Sequence, residues 1–287
     1  SYVFTKDKTT ITTSGKSVPN GWFSVNAAIS NTDTTKPLKI DLKGHDLAVN
    51  INAASHTTGI SAVGNGSEIV VDNAGDLTVT SVGTGQDAAL FANSGGKITI
   101  NVKDGKTLKL RTEATDKNNG AVVKTMNGAA GVRSSITLNG QVDIEADGVK
   151  SNEGLSAVAS DIRVAGGAIK ATGGAQYAIR AYGEYASTNE GRVYVNTTED
   201  TAGNATGAAN NKTVLVGNIS TSGSMNSKGV VNIGLNTSDS SWTGDYAESN
   251  EGTVNLWMGS NARWEGRTAD GSNLSMNLLD SGSLWKL

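Results

Sequence analysis

The sequence predicts an all-β protein that winds as a coil of three parallel sheets, a three-sided parallel β-helix. Short aliphatic runs alternate with polar residues at period two, which is typical of strands buried on one face. Three classes of such strands recur in a fixed order about every 20 to 35 residues. The 36 glycines, with only 2 prolines, supply the turns between them. About nine turns of the coil, stacked about 4.8 Å apart, predict a rod of roughly 45 Å.

The first two strand classes carry aliphatic residues two positions apart, so one face of each strand is expected to be buried. A strand of the second class follows each strand of the first within about ten residues, and a Gly or Asn usually stands between them. The first class contains Ile69/Val71, Ile98/Ile100, Ile136/Leu138, Ile162/Val164 and Val193/Val195. The second class contains Leu47/Val49/Ile51, Leu77/Val79, Leu108/Leu110, Val142/Ile144 and Ile169/Ala171.

The third strand class pairs a leading aliphatic residue with a small residue two positions later. The leading residues are Ile60, Leu90, Val123, Leu155 and Ile179, and the small ones are Ala62, Ala92, Thr125, Ala157 and Ala181. We expect both columns to face the interior, where a narrow coil needs small side chains. The residues between them are then expected to project outward: Ser61, Phe91, Lys124, Ser156 and Arg180.

The C-terminal part of the chain has a shorter and more regular period, in which Trp242, Trp264 and Trp285 are 22 and 21 residues apart. If one turn of the coil separates successive members, their indoles stack in a structural column inside it. Each stacked pair contributes about 0.5–1.5 kcal/mol beyond the area that it buries. We therefore expect the C-terminal turns to be the most resistant part of the protein.

The pattern divides the chain into three regions. These are an N-terminal cap over 1–37, a β-helix with variable lateral loops over 38–229, and C-terminal tryptophan-stacked turns over 230–287. The first region fits the repeat poorly and is expected to cover the open strand edges of the coil. Variable loops are expected at 112–120, 183–191 and 197–212. Because the final stretch "SLWKL" is an apolar strand that no polar segment follows, we expect the natural chain to continue past Leu287.

Charge and composition argue against several functions. The formal net charge is −3 with both signs scattered, so a nucleic-acid partner is not expected. There is no cysteine, which rules out disulfides and thiolate chemistry. No apolar run approaches ~20 residues, and no signal segment opens the sequence. We expect any export signal to precede Ser1.

Four stretches carry a resemblance to a known family: "GSEIVVDNAGDLTVTS", "GGKITINVKDGKTLKL", "VVNIGLNTSDSSWTGD" and "GTVNLWMGSNARWEGR". Over roughly residues 38 to 287 the chain resembles the passenger domain of a type Va bacterial autotransporter of the adhesin type. The resemblance implies a right-handed parallel β-helix, exported through an outer-membrane barrel of the same precursor. It also implies that the terminal Trp-Xaa-Gly turns, within 230–287, belong to an autochaperone-like region.

The resemblance further implies a secreted or cell-surface virulence factor. The family also includes some proteases, esterases and toxins, but we expect this chain to bind without catalysing a reaction. Members of the family are mostly adhesins and self-association factors, so the implied partners are a host cell-surface protein, extracellular matrix, a glycan or another copy of the chain. A toxin-like effector that signals through a receptor is not distinguished from an adhesin by the sequence. Neither the resemblance nor the residues imply a cofactor.

The residues that bear on catalysis and metal binding are few. His45 and His56 each lie at or beside a turn and are expected to be solvated, with no converging ligands to form a metal site. The stretch "LDSGSLW" superficially resembles the surroundings of a serine-protease nucleophile. It lacks the leading glycine and lies within the tryptophan repeat, so we interpret it as a turn.

An acidic cluster supports the alternative function of a glycan-active enzyme, a polysaccharide lyase or hydrolase. Asp143 and Glu145 are expected to project from one lateral face, with Asp147 nearby. Alternating acids on an exposed strand are more often only a solvated face. We therefore expect no catalytic residues.

The candidate partner-binding residues are aromatic or cationic and are expected on the outer surface. Arg180 and Tyr182 should point outward beside inward Ile179 and Ala181, with Tyr185 on the loop that follows. Tyrosine and arginine are enriched at binding hot spots. Trp257 has the opposite parity to its inward strand neighbours and is the fourth candidate.

Overall fold

The described part of the chain contains 29 β-strands and no helix. The structure is a computed structural model that describes residues 1–19, 24–54, 56–83, 85, 87–114, 120–126, 132–148, 152–183, 190–222 and 228–287. The first ten strands are β1 Tyr2–Val3, β2 Lys8–Thr13, β3 Lys16–Pro19, β4 Ser24–Asn31, β5 Leu38–Asp41, β6 Asp46–Asn52, β7 Thr57–Val63, β8 Glu68–Ala74, β9 Leu77–Gly83 and β10 Ala88–Asn93.

The remaining strands follow at similar intervals. The next ten are β11 Lys97–Val102, β12 Thr107–Ala114, β13 Ala121–Thr125, β14 Ser135–Asp147, β15 Glu153–Val158, β16 Asp161–Thr172, β17 Tyr177–Tyr182, β18 Gly191–Val195, β19 Thr197–Glu199 and β20 Ala205–Ala208. The last nine are β21 Thr213–Val216, β22 Ile219–Ser220, β23 Gly229–Leu235, β24 Ser241–Thr243, β25 Tyr246–Glu248, β26 Thr253–Met258, β27 Arg263–Glu265, β28 Asn273–Leu278 and β29 Leu284–Lys286.

Parallel pairing joins most of these strands into three ladders. The first ladder runs β1, β5, β8, β11, β14, β16, β18, β23, β26, β28. The second runs β2, β6, β9, β12, β14, β16, β21, β24, β27, β29. The third runs β4, β7, β10, β13, β15, β17, β22, β25.

Each inner strand of a ladder pairs with the strand one sequence repeat before it and the strand one repeat after it. We call one strand from each ladder, taken in chain order, a rung. This stacking confirms the predicted all-β, parallel architecture and is consistent with a β-solenoid. The described antiparallel pairings are β3 with β4 and β19 with β20.

The core lies between the ladders and is one continuous cluster of buried apolar side chains, most of them aliphatic. Alternation explains it. In β11, Ile98 and Ile100 are buried while Lys97 is exposed. Ile98 pairs in register with Ile69 before it and Ile136 after it, so like residues lie above one another. Burial of such side chains contributes about 1.5–3 kcal/mol each.

Two corners between the first and second ladders differ from expectation. The sequence predicts two strands on either side of Gly140 and again of Gly167, but β14 and β16 each continue through the corner as one strand. Both glycines have positive φ, 125° and 115°. A side chain at Gly167 would overlap the backbone of Val142 in the rung before it. A single glycine therefore bends the strand where a longer turn was expected.

The outer side of the third ladder corrects another expectation. Phe91 and Ser61 do point away from the core, but they are buried there, as are Lys124 and Ser156 in the same column. Phe91 packs in a second apolar cluster with Val63, Ala88 and Met126. Only Arg180, further along this column, is partly exposed among the five. Alternation predicts which side of a strand a residue occupies, but it cannot predict that other parts of the chain cover that side.

The N-terminal region, predicted as a cap, contains the first strand of each of the three ladders. Strand β1 pairs in parallel with β5, β2 with β6, and β4 with β7. β3 then folds antiparallel onto β4 at the end of the third ladder. The repeat is hard to detect here because β2, "KTTITT", presents threonine where inner strands present Leu, Val or Ile.

Residues 197–212, predicted as a variable loop, contain the antiparallel hairpin β19–β20. Asn196 fixes its base, because its side-chain amide donates to the carbonyl oxygens of Ala209 at 3.0 Å and Gly234 at 2.8 Å. The hairpin lies against β23. Of the other two predicted loops, residues 115–119 and 184–189 lie outside the described residues.

The three C-terminal tryptophans form a continuous stack. The ring centroids of Trp242 and Trp264 are 4.6 Å apart and those of Trp264 and Trp285 are 5.0 Å apart, each pair within 4° of parallel. Strand register places them directly above one another. Trp242 and Trp264 are fully buried, whereas Trp285 in the last rung is 43% exposed.

A hydrogen bond ties each indole to the rung before it. The indole N–H of Trp264 donates to the carbonyl oxygen of Gly244, and that of Trp285 donates to Gly266, both at 3.0 Å. Trp242 donates in the same way to Gly217. The glycine of each Trp-Xaa-Gly turn therefore accepts the hydrogen bond of the next tryptophan. A side chain at Gly266 would overlap the Gly244 carbonyl, which explains the glycine in the motif.

Trp264→Ala is expected to lower the free energy of unfolding by about 3–5 kcal/mol, because it removes both ring contacts and leaves a cavity. Trp285→Ala is the matched control, since that ring has one described neighbour in the stack and is 43% exposed. It should cost roughly half as much or less. Denaturant unfolding followed by circular dichroism measures both variants. Equal losses would contradict a stack with a buried middle ring.

Gly266→Ala is expected to destabilise the protein by about 1–3 kcal/mol, because the new methyl group must displace a carbonyl that already accepts an indole hydrogen bond. Gly207→Ala, in the hairpin, is the control, since the nearest atom there is the hydroxyl oxygen of Thr198 at 3.1 Å. Thermal melting compares the two. A Gly266 variant as stable as its control would show that the close approach is not required.

Candidate binding surfaces

The first surface is a cluster of charged and aromatic side chains on the outer side of the third ladder, which we call the Arg180 cluster. The Arg180 guanidinium lies 4.6 Å from the ring centroid of Tyr182 and 5.8 Å from that of Tyr177. It also donates to Glu153 at 3.1 Å and to the carbonyl oxygen of Ser222 at 3.1 Å. The Arg180 side chain remains 27% exposed. These contacts hold the Arg180 guanidinium and the Tyr182 ring together, next to the buried part of the outer side of the third ladder.

Burial determines the electrostatics of this cluster. It lowers the pKa of the Lys124 amine; Glu153 opposes that shift and Arg180 adds to it. Burial also raises the pKa of Tyr177 to about 12, and a hydrogen bond with Glu248 adds to the rise. Lys124 and Arg180 therefore both interact with the Glu153 carboxylate, in a region of low polarity where electrostatic interactions are stronger than in water.

The other predicted binding residues lie in different places. Tyr182 is half-buried beside Arg180, as just described. Tyr185 lies outside the described residues. Trp257 points away from the core, because Val254, Leu256 and Met258 take the inward positions of β26. Its side chain is half-buried. The structure therefore brings Arg180 and Tyr182 together but places Trp257 on another ladder.

A second cation and aromatic pair was missed from the sequence. Arg163 of β16 lies 4.3 Å from the ring centroid of Tyr194 in β18. Glu199, on the hairpin, accepts from the Nε and Nη2 of Arg163 at 2.8–3.0 Å. These bidentate hydrogen bonds fasten the hairpin to the first ladder. The sequence does carry a signal for the hairpin that holds Glu199, because "EDTAGNA" is a turn sequence between threonine-rich stretches.

The acidic cluster of the second ladder is paired with a cation. Arg111 of β12 donates to the Asp143 carboxylate at 2.9 Å and to its carbonyl oxygen at 2.7 Å, and it lies 3.8 Å from Glu145. Glu145 also accepts from the Thr172 hydroxyl at 2.9 Å. Glu145 and Asp147 line a shallow groove of about 310 Å³ with Arg111. The side chains that could act on a glycan are thus occupied with each other.

The remaining candidate chemistry is dispersed. His45 lies 3.5 Å from Asp7, and His56 is at a turn with a φ of 44°. In "LDSGSLW", Asp280 accepts from the backbone N–H of Ser260 and Gly282, so it stabilises a turn. No group of three or more potential metal-ligating residues is found among the residues that the structure describes. Within the same residues, no helix is long and apolar enough to cross a membrane.

Comparison with known proteins identifies no relative. No family model matches the chain, and no curated protein or solved structure matches it either. The class that the fold defines is therefore an all-β protein of stacked parallel strands, and any more specific assignment rests on the residues themselves.

Tyr177→Phe is expected to make the protein less sensitive to alkali. Because the folded pKa of Tyr177 lies above the ordinary value of about 10, the unfolded chain loses this proton first. The contribution of Tyr177 to the free energy of unfolding is therefore fully present below pH 10 and is lost as the pH rises towards 12. Denaturant unfolding across this range should give a shallower decline for the variant than for wild type.

The control for this experiment is Tyr2→Phe, at an exposed tyrosine of β1. Absorbance of tyrosinate measures ionisation directly in the same samples. The assignment is wrong if both variants follow the wild-type stability profile between pH 10 and 12, or if Tyr177→Phe removes no late ionisation step.

Proposed function

We propose that this chain is the passenger domain of a type Va bacterial autotransporter and that it acts as an adhesin or self-association factor. In this proposal it is displayed on the bacterial surface or released. It binds a host cell-surface protein, extracellular matrix, a glycan or another copy of itself, without catalysis. The outer-membrane barrel of the same precursor would be its partner in export.

The finer description of the fold belongs to this proposal: a right-handed, three-sided parallel β-helix. Three parallel ladders, each contributing a strand to successive rungs, support the three sides. Connections between parallel strands of one sheet are right-handed in nearly all proteins. The Trp-Xaa-Gly turns that carry the resemblance also form the tryptophan stack, so that part of the motif has a structural reason.

The observation that carries the binding function is the fixed pairing of Arg180 with Tyr182 at a partly exposed position. Glu153 and the Ser222 carbonyl hold the guanidinium in place. A ligand that binds there would not have to immobilise a long, flexible side chain, and such preorganisation increases affinity. Arginine and tyrosine are also the residue types most often found at binding hot spots.

A stack of rungs suits adhesion because it holds separate surfaces at fixed distances. The Arg180 cluster lies on the third ladder, the Arg111 groove on the second and Trp257 on the first. Several weak contacts on one rigid body bind more tightly together than each binds alone.

Two alternatives have less support. A glycan-active enzyme would need carboxylates available for acid and base chemistry, whereas Arg111 and Thr172 bind Asp143 and Glu145. A toxin-like effector that signals through a receptor would use the same outer surfaces as an adhesin. No contact in the described residues favours that effector over the adhesin.

The double variant Arg180→Ala, Tyr182→Ala is expected to weaken binding at least about 10-fold, because it removes a paired hot spot. The readouts are concentration-dependent sedimentation for self-association and binding to an array of host-surface proteins, matrix and glycans. Arg263→Ala, at an exposed arginine of β27, is the control and should bind as wild type does. Wild-type protein that neither associates nor binds any component of the array would overturn the proposed function.

A further inference from the structure

The outer side of the last two rungs of the first ladder carries a patch without charge. It consists of the outward positions of β26 and β28, which are Thr253, Asn255, Trp257, Asn273, Ser275 and Asn277. We call it the Trp257 patch. The outward positions of the second ladder, by contrast, carry Lys109, Arg111, Asp143 and Glu145. A ligand that fits the Trp257 patch would gain nothing from charge.

Trp257 has no role in the core that explains a tryptophan at this position. The core side of β26 is filled by Val254, Leu256 and Met258, and the indole stack is formed by other tryptophans. Trp257 is half-buried on the opposite side of the strand. An indole kept at the surface presents a large apolar face with an N–H donor at its edge.

The surroundings of Trp257 form a step. Its register partners are Gly234 in the rung before and Asn277 in the rung after. Ala208 of the hairpin lies over Gly234, where an added side chain would come within 2.7 Å of the Ala208 Cβ. β20 of the hairpin also lies against β26. The indole therefore has a wall of backbone and small residues on one side and an open, amide-bearing surface on the other.

A line of amides orients the polar groups beside the indole. The Asn255 side chain donates to the Asn232 side-chain oxygen at 2.8 Å, and Asn232 donates to the carbonyl oxygen of Val193 at 3.3 Å. Asn232 is buried, so this line is fixed from within. Each amide directs its N–H towards the preceding rung, and the register partner of Asn255 in the following rung is Ser275. Hydrogen-bonding groups thus lie beside the ring at the spacing of the rungs, about 4.8 Å.

These features match the chemistry of a neutral sugar. A pyranose ring has an apolar face of C–H groups, which stacks on an aromatic ring, and a rim of hydroxyls that pair with amides and hydroxyls. Sulfated or sialylated sugars would need cations, and the patch has none. A protein hot spot is surrounded by residues that exclude water, whereas Trp257 has amides and hydroxyls beside it.

We propose that the Trp257 patch binds a neutral hexose unit of a glycan, with its C–H face on the indole and its hydroxyls on Asn255, Ser275 and Asn277. The hairpin wall limits the sugar to the side of the ring that faces β28. The proposal deepens the proposed function by naming one ligand class, and it rests on that function for its place at a cell surface. The binding itself is a property of the purified chain.

The test is titration of the purified full chain with neutral, sialylated and sulfated oligosaccharides, followed by tryptophan fluorescence and calorimetry. Lactose, cellotriose and mannotriose are the neutral probes, sialyllactose and a heparin oligosaccharide the charged ones. At least one neutral probe should bind, and Trp257→Ala should weaken it roughly 10-fold or more. Trp257→Phe should retain part of the affinity, since it keeps an aromatic face.

Asn277→Ala should also weaken binding, and Asn139→Ala is its matched control, an exposed amide on the same ladder at β14. This pair keeps the test valid if Trp257→Ala does not fold. Absence of binding by every neutral probe at millimolar concentration overturns the proposal. Preferential binding of the charged probes also overturns it. So does binding of a neutral probe that neither Trp257→Ala nor Asn277→Ala weakens.

The outcomes distinguish this proposal from the proposed function. Loss of sugar binding with intact self-association or protein binding rejects only the Trp257 patch. Sugar binding that depends on Trp257, in a protein that adheres to no host component, supports the patch and rejects the adhesin. A host protein whose binding depends on Trp257, with no binding of any sugar probe, overturns the proposal in favour of a protein ligand.

Discussion

In-register pairing between parallel strands of successive rungs is the constraint on which the rest of the structure depends. Each inner strand hydrogen-bonds to equivalent strands on both sides, so a residue paired in register lies between its counterparts in the two neighbouring repeats. A residue must therefore fit the core and also its own neighbours in the column. Aliphatic residues satisfy both conditions, and so do flat indoles, which stack 4.6 and 5.0 Å apart.

The same constraint shapes the outer surfaces. Since outward residues are also in register, chemistry that recurs along the sequence becomes a line of like groups. The amides of Asn232 and Asn255 form such a line, and so do those of Asn101 and Asn139. Where charges alternate between rungs, as with Arg111 and Asp143, they neutralise each other across the ladder. The outer surfaces of this protein are consequently repetitive along each ladder.

Much of the fold could be predicted because long strands with alternating residues recur. Ile98 and Leu108 identify their ladders from the sequence alone, and tryptophan spacing predicts the stack. Strands β22 and β25 went unrecognised, because two or three residues cannot establish an alternation. Burial of Phe91 and Lys124 was also unpredictable, since it depends on what packs over the third ladder. In the candidate site, strand alternation predicts that Arg180 and Trp257 face outward. The contacts of Arg180 with Glu153 and Ser222 join residues far apart in sequence, so the local pattern does not predict them.

Disulfide trapping tests the register most directly, because these 287 residues include no cysteine to interfere. Thr99 and Thr137 are register partners 38 residues apart in sequence, on the outer side of β11 and β14. Their Cα atoms should be about 5 Å apart, within the range that a disulfide spans, whereas Thr99 and Asn139 should be about 8 Å apart and beyond it. Paired cysteines at 99 and 137 are predicted to crosslink within one chain, and those at 99 and 139 are not. Equal crosslinking of both pairs, or of the second pair alone, would contradict the in-register stack.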